Sequence, residues 1–170
     1  DRDIDHGHSL ALVDLNEDGN LDVFVGEMRL RGSDDNPNAK TLIFYGDGQG
    51  NFTQEIIATD FGNHQSQVGD LDGDGDLDIL GKPFKWQTPR IDIWLNNGGT
   101  NLPGDTWRKS TIGTGDERMI MVLPADLNGD TYPDVAAGNA WFENPQQPDG
   151  DWTAHRLPEM GQVALAYDFD

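Results

Sequence analysis

Apolar residues in this chain come in short runs closed by glycine or aspartate, and nothing reads as a long helix. Val23-Phe24-Val25-Gly26, Ile79-Leu80-Gly81 and Val135-Ala136-Ala137-Gly138 are brief enough to be buried strands. Each follows a second strand-like run: Leu10-Ala11-Leu12-Val13, Gln67-Val68-Gly69 and Met119-Ile120-Met121-Val122-Leu123. The pattern predicts strands at 9–13, 22–26, 41–45 and 52–59 in a first repeat, and at 66–69, 78–80, 91–95 and 107–112 in a second. A third repeat is predicted at 118–123, 134–137, 140–143 and 152–157, with one more strand at 162–167. Four short strands joined by turns make a propeller blade. The expected fold is all-β: three four-stranded antiparallel blades at about 6–62, 63–116 and 117–159, with a fourth begun at 160–170.

Between the first two strands of each repeat lies an acidic hairpin. Asp70-Leu71-Asp72-Gly73-Asp74-Gly75-Asp76-Leu77-Asp78 has carboxylates at positions 1, 3, 5 and 9 and glycine at 6. Two like charges ~4 Å apart repel by about 4 kcal/mol at an effective dielectric of roughly 20. Packing such carboxylates into one turn therefore calls for a cation. Calcium suits them, being hard, oxygen-seeking and tolerant of carboxylates beside a backbone carbonyl. That carbonyl is expected from position 7, Asp76. The ligand set is then Asp70, Asp72, Asp74, Asp76 and Asp78.

The loop recurs at Asp14-Leu15-Asn16-Glu17-Asp18-Gly19-Asn20-Leu21-Asp22, predicting Asp14, Asn16, Asp18, Asn20 and Asp22 as ligands. It recurs again as Asp126-Leu127-Asn128-Gly129-Asp130-Thr131-Tyr132-Pro133-Asp134, predicting Asp126, Asn128, Asp130, Tyr132 and Asp134. There Thr131 replaces the bend glycine, which predicts local strain. Both intervals are 56 residues, and a fixed period signals a repeat architecture. About three Ca²⁺ sites are expected. An EF-hand would instead place Glu at position 12 and continue into a helix.

A chain of 170 residues is long enough for one sizeable core. Its net charge of −20 disfavours nucleic acid as a partner. Eleven of the acids sit at positions 1, 3, 5, 7 and 9 of the three loops, and three Ca²⁺ would bring −20 to −14. Cysteine is absent, which removes disulfides and zinc–thiolate sites. No apolar run is long enough for membrane insertion. Asn51-Phe52-Thr53 is a glycosylation sequon.

These loops, with Trp141-Phe142-Glu143-Asn144-Pro145 and Trp152-x-x-His155, resemble the FG-GAP/VCBS repeat family, the calcium-binding blades of integrin-alpha-like β-propellers. The resemblance covers essentially the whole chain. It implies a larger ring than three blades supply, completed by further propeller blades of a longer protein or by other copies of the chain. The break at Asp170, where Asp168 and Asp170 look like the start of a fourth loop, favours the longer protein. An extracellular or cell-surface location is expected, where calcium is millimolar.

The leading functional reading is an interaction module binding a glycan or protein ligand. The loops after the second and fourth strands gather Arg29, Arg31, Lys40, Lys82, Lys85, Arg90 and Arg118. A basic face with Arg31, Lys82, Lys85 and Trp86 is the expected ligand surface, since aromatic rings and cations suit sugars and acidic polymers. His8 and His64 each precede a loop by six residues and are candidates for a shared metal, with local hydrogen bonding the simpler expectation. No catalytic residue is assigned: the chain has no G-x-S-x-G, no H-E-x-x-H and no phosphate loop. The alternatives are the propeller part of a polysaccharide lyase or dehydratase, and a structural subunit of a surface or filamentous assembly.

Overall fold

A computed structural model describes residues 4–29, 36–59, 62–82, 90–98, 107–113, 122–147 and 150–158. Blade 1 comprises β1 (Gly7–Val13), β2 (Asp22–Glu27), β3 (Lys40–Gly46) and β4 (Phe52–Thr59). Blade 2 comprises β5 (Gln67–Gly69), β6 (Asp78–Gly81), β7 (Ile91–Asn96) and β8 (Trp107–Gly113). Blade 3 comprises β9 (Val122–Ala125), β10 (Asp134–Ala137), β11 (Ala140–Glu143) and β12 (Thr153–Arg156). Each blade is a four-stranded meander in chain order, antiparallel throughout. The described residues contain no helix.

Alternation along the strands decides which side chains meet the next blade. Phe24 and Ile43 are cross-strand partners in blade 1. With Leu15 they pack against Ile79 and Trp94 of blade 2. Leu80 and Ile93 pair on the opposite face of blade 2. With Leu71, Ile91, Leu95 and Ile112 they pack against Val122, Val135, Ala137 and Phe142 of blade 3. Full burial of one such side chain contributes about 1.5–3 kcal/mol. The first strands β1, β5 and β9 contact one another in turn, so the sheets stack face to face.

Blade 2 is thus sandwiched, and every residue of β7 is buried. Among the described residues, blade 1 meets another blade on one face only. On the other, Leu10 is 68% and Leu12 61% exposed on β1 and Ile56 is exposed on β4, while Val25 and Leu42 between them are buried. At the loop ends the same logic holds: Leu15 and Leu71 are buried between blades, whereas Leu127 is exposed.

Polar ties reinforce the joint between blades 1 and 2. The Ser66 amide donates to Ser9 Oγ at 2.8 Å, and Ser66 Oγ donates to Asn63 Oδ1 at 2.7 Å. Asn63 Nδ2 in turn donates to Thr41 Oγ1 at 2.7 Å.

Most strands lie where the apolar pattern puts them, with shifts at the ends. β1 starts at Gly7, ahead of the expected Ser9, and carries a register irregularity there. β9 runs on to Ala125 because that residue pairs with Asp134. Residues 118–121 and the strand expected at 162–167 lie outside the described residues.

Candidate metal centre

Each acidic hairpin folds as nested turns in which its own carboxylates accept backbone amides. The position-6 amide donates to position 1 in all three: Gly19 to Asp14 Oδ2 at 2.8 Å, Gly75 to Asp70 Oδ2 at 3.1 Å and Thr131 to Asp126 Oδ2 at 2.9 Å. The position-7 amides of Asn20, Asp76 and Tyr132 donate to Asp18, Asp74 and Asp130. The position-5 amides donate to Asn16, Asp72 and Asn128. These bonds turn the side chains at positions 1, 3 and 5 inward.

The bend demands left-handed backbone at two places. Gly19, Gly75 and Thr131 at position 6 have φ of 87°, 102° and 81°. Glu17, Gly73 and Gly129 at position 4 have φ of 56°, 80° and 79°. The strain expected at Thr131 is therefore present, and a second demanding position, unread in the sequence, is met by glycine in two loops and by Glu17 in the first. The repeated glycines Gly73 and Gly129 were the available signal.

Position 9 differs from the rest. Asp22, Asp78 and Asp134 are 0% exposed. In each, one carboxylate oxygen accepts the position-2 amide, from Leu15, Leu71 or Leu127, at 2.6–3.0 Å. The other accepts an amide where the third strand meets its turn, from Gly46, Asn96 or Asn144, at 2.8–2.9 Å. These aspartates pin loop to strand, whatever else they hold.

Loop 2 concentrates the charge. Ligand atoms of Asp70, Asp72 and Asp78 lie within 4.8 Å of one another. Burial, opposed by its amide bonds and aided by Asp72 and Asp74, pushes the Asp78 carboxyl up to about 7. Burial and the Asp74 and Asp70 carboxylates raise Asp72 as well. Asp22 and Asp134 are raised, chiefly by burial. Asp130 is held below the usual carboxylate range by bonds from the Tyr132 amide, Gln146 and Asn128. In loops 1 and 3 the amide of Asn16 or Asn128 donates to the position-5 carboxylate, which softens the repulsion.

The candidate ligand face fares differently. Arg31, Lys85 and Trp86 lie outside the described residues. Lys82 is not on a surface: it is 1% exposed, and its Nζ has no hydrogen-bond partner among the described residues. It continues β6, and its carbonyl accepts the His64 amide at 2.6 Å. Burial lowers its pKa to about 8. Lys40 lies 4.0 Å from Glu27, while Arg90 and Lys109 lie 3.0 Å and 2.9 Å from the buried carboxylate of Asp92. His8 and His64 do meet, as stacked rings with centroids 4.4 Å apart.

Stacked antiparallel four-strand sheets, each with a carboxylate hairpin between its first two strands, define a run of β-propeller blades. The sequence model of the FG-GAP-like repeat matches residues 14–81, which hold two of the three hairpins. That match assigns residues 14–81 to the FG-GAP-like repeats. The chain is also 33% identical over 145 residues to integrin alpha-PS3 of Drosophila melanogaster. That match takes in 78% of this chain and 13% of the integrin, so the chain spans about an eighth of that relative's length.

Proposed function

We propose that the chain is an extracellular interaction module whose three hairpins each hold a calcium ion. The observation that carries this is the convergence of Asp70, Asp72 and Asp78 on one point, with Asp78 pushed up to about 7 by burial and by neighbouring carboxylates. A divalent cation would relieve that strain, and the donors fit one: all are hard oxygens, the ligand type calcium prefers. In loop 2 the holders would be Asp70, Asp72, Asp74, the Asp76 carbonyl and Asp78. In loop 1 they would be Asp14, Asn16, Asp18, the Asn20 carbonyl and Asp22. In loop 3 they would be Asp126, Asn128, Asp130, the Tyr132 carbonyl and Asp134. The position-9 carboxylates keep lone pairs beyond those bonded to backbone amides.

The cation's part is structural. It neutralises a hairpin that sits over the joint between blades and leaves the opposite ends free for recognition. The likeness to an integrin alpha chain supports a cell-surface setting and a protein partner. A glycan ligand would draw on Arg31, Lys85 and Trp86. Calcium at a hundred times its dissociation constant stabilises by about 2.7 kcal/mol per site. Calorimetric titration of chelator-treated protein should therefore find about three sites, and Asp70→Ala, at the position that is aspartate in all three loops, should remove the one in loop 2. A melting curve indifferent to calcium and chelator alike would overturn the reading.

A further inference from the structure

We propose that Asn96 and Asn144 are positioning residues that wire the three hairpins into one series, so that neighbouring loops order and fill together. This rests on the cation reading above.

The wiring is a continuous run of hydrogen bonds. Asn96 Nδ2 of blade 2 reaches back to the Leu15 carbonyl of loop 1 at 2.7 Å. The Asn96 amide donates to Asp78 Oδ1 at 2.8 Å, and Asp78 Oδ2 accepts the Leu71 amide at 2.6 Å. The Leu71 carbonyl then accepts Asn144 Nδ2 of blade 3 at 2.5 Å. The Asn144 amide donates to Asp134 Oδ1 at 2.9 Å, and Asp134 Oδ2 accepts the Leu127 amide at 3.0 Å. Leu71 is the exchange point: its amide answers to its own loop and its carbonyl to the next blade.

Leu71 lies between ligand positions 1 and 3, Asp70 and Asp72. Fixing those ligands fixes the peptide that Asn144 grips, and releasing the grip loosens the ligands. Such coupling is reciprocal by thermodynamic necessity. A second contact joins loops 2 and 3, for a Cβ on Gly73 would meet the Tyr132 ring.

Only an asparagine-like side chain serves. At Asn144, Nδ2 donates to the Leu71 and Pro133 carbonyls while Oδ1 accepts the Gln146 amide. Blade 1 breaks the pattern. Gly46 gives its amide to Asp22 Oδ1 at 2.9 Å but has no side chain, and a Cβ there would fall on the Leu21 carbonyl. Loop 1 is therefore the first member of the series.

The test compares the full chain with Asn96→Asp and Asn144→Asp, which keep size and acceptor but lose the donor. Amide exchange over 14–22, 70–78 and 126–134 is read with chelator and with calcium, alongside site-resolved calcium affinity. Asn144→Asp should speed exchange in loop 2 roughly tenfold and weaken calcium there and in loop 3, sparing loop 1. Asn96→Asp should act on loops 1 and 2 and spare loop 3. Gln146→Ala, which loses a bond to Asp130 in its own blade, should act first on loop 3 and, through the reciprocal link, more weakly on loop 2. If Asn144→Asp changes loop 3 and leaves loop 2 as in wild type, the series does not exist. Should either variant unfold its blade, the other reads the same kind of link. The chelator arm decides the wiring even if calcium has no effect, which would sink only the cation reading.

Discussion

Thr131 holds a backbone angle that its two counterparts leave to glycine, with φ of 81°. Thr131→Gly is expected to stabilise the chain by about 1 kcal/mol, read by urea denaturation in chelator. This demand was legible, because position 6 is glycine in the other two loops. The same demand at position 4 was hidden by Glu17. Lys82 was illegible for another reason: a lysine beside a loop reads as surface, and only packing between distant segments encloses it. Its pKa falls from 10.5 unfolded to about 8 folded, so the unfolded chain holds more protons between those values. Stability should therefore rise with pH from about 8 to 10.5, by about 3 kcal/mol in all. Lys82→Met should abolish that rise and add a similar amount at pH 7. Denaturation midpoints across that range check both.

At the level of the hairpin, the aspartate at position 9 has two roles, one proposed and one seen. Its place in an acidic repeat makes it a candidate ligand. Its grip on the third strand is invisible, because the bonded amide lies 24 residues on for Asp22, 18 for Asp78 and 10 for Asp134. Asp134→Ala strands two inward-facing amides. It should cost about 4 kcal/mol even in chelator, measured by thermal or urea unfolding. A residue that served only as a ligand would cost little without cation. The strands themselves were legible because each apolar run is short and bounded by turn residues. Their exact ends depend on cross-strand partners, as at Ala125.

For the molecule as a whole, repetition makes some surfaces interior and leaves others bare. On β1, Leu10 at 68% and Leu12 at 61% exposure form a hydrophobic patch of the kind that drives association. Leu10→Thr with Leu12→Thr should reduce binding of an apolar dye and light scattering, while shifting stability by less than about 0.5 kcal/mol. The stacking of sheets was readable from the 56-residue interval, but which faces stay bare was not, since that depends on neighbours. The backward reach of Asn96 and Asn144 also gives the stack a direction. Leu15 precedes Asn96 by 81 residues and Leu71 precedes Asn144 by 73. During synthesis the acceptor leaves the ribosome well before its donor, so each blade emerges to find a finished docking point already displayed, and assembly proceeds like masonry, course upon course.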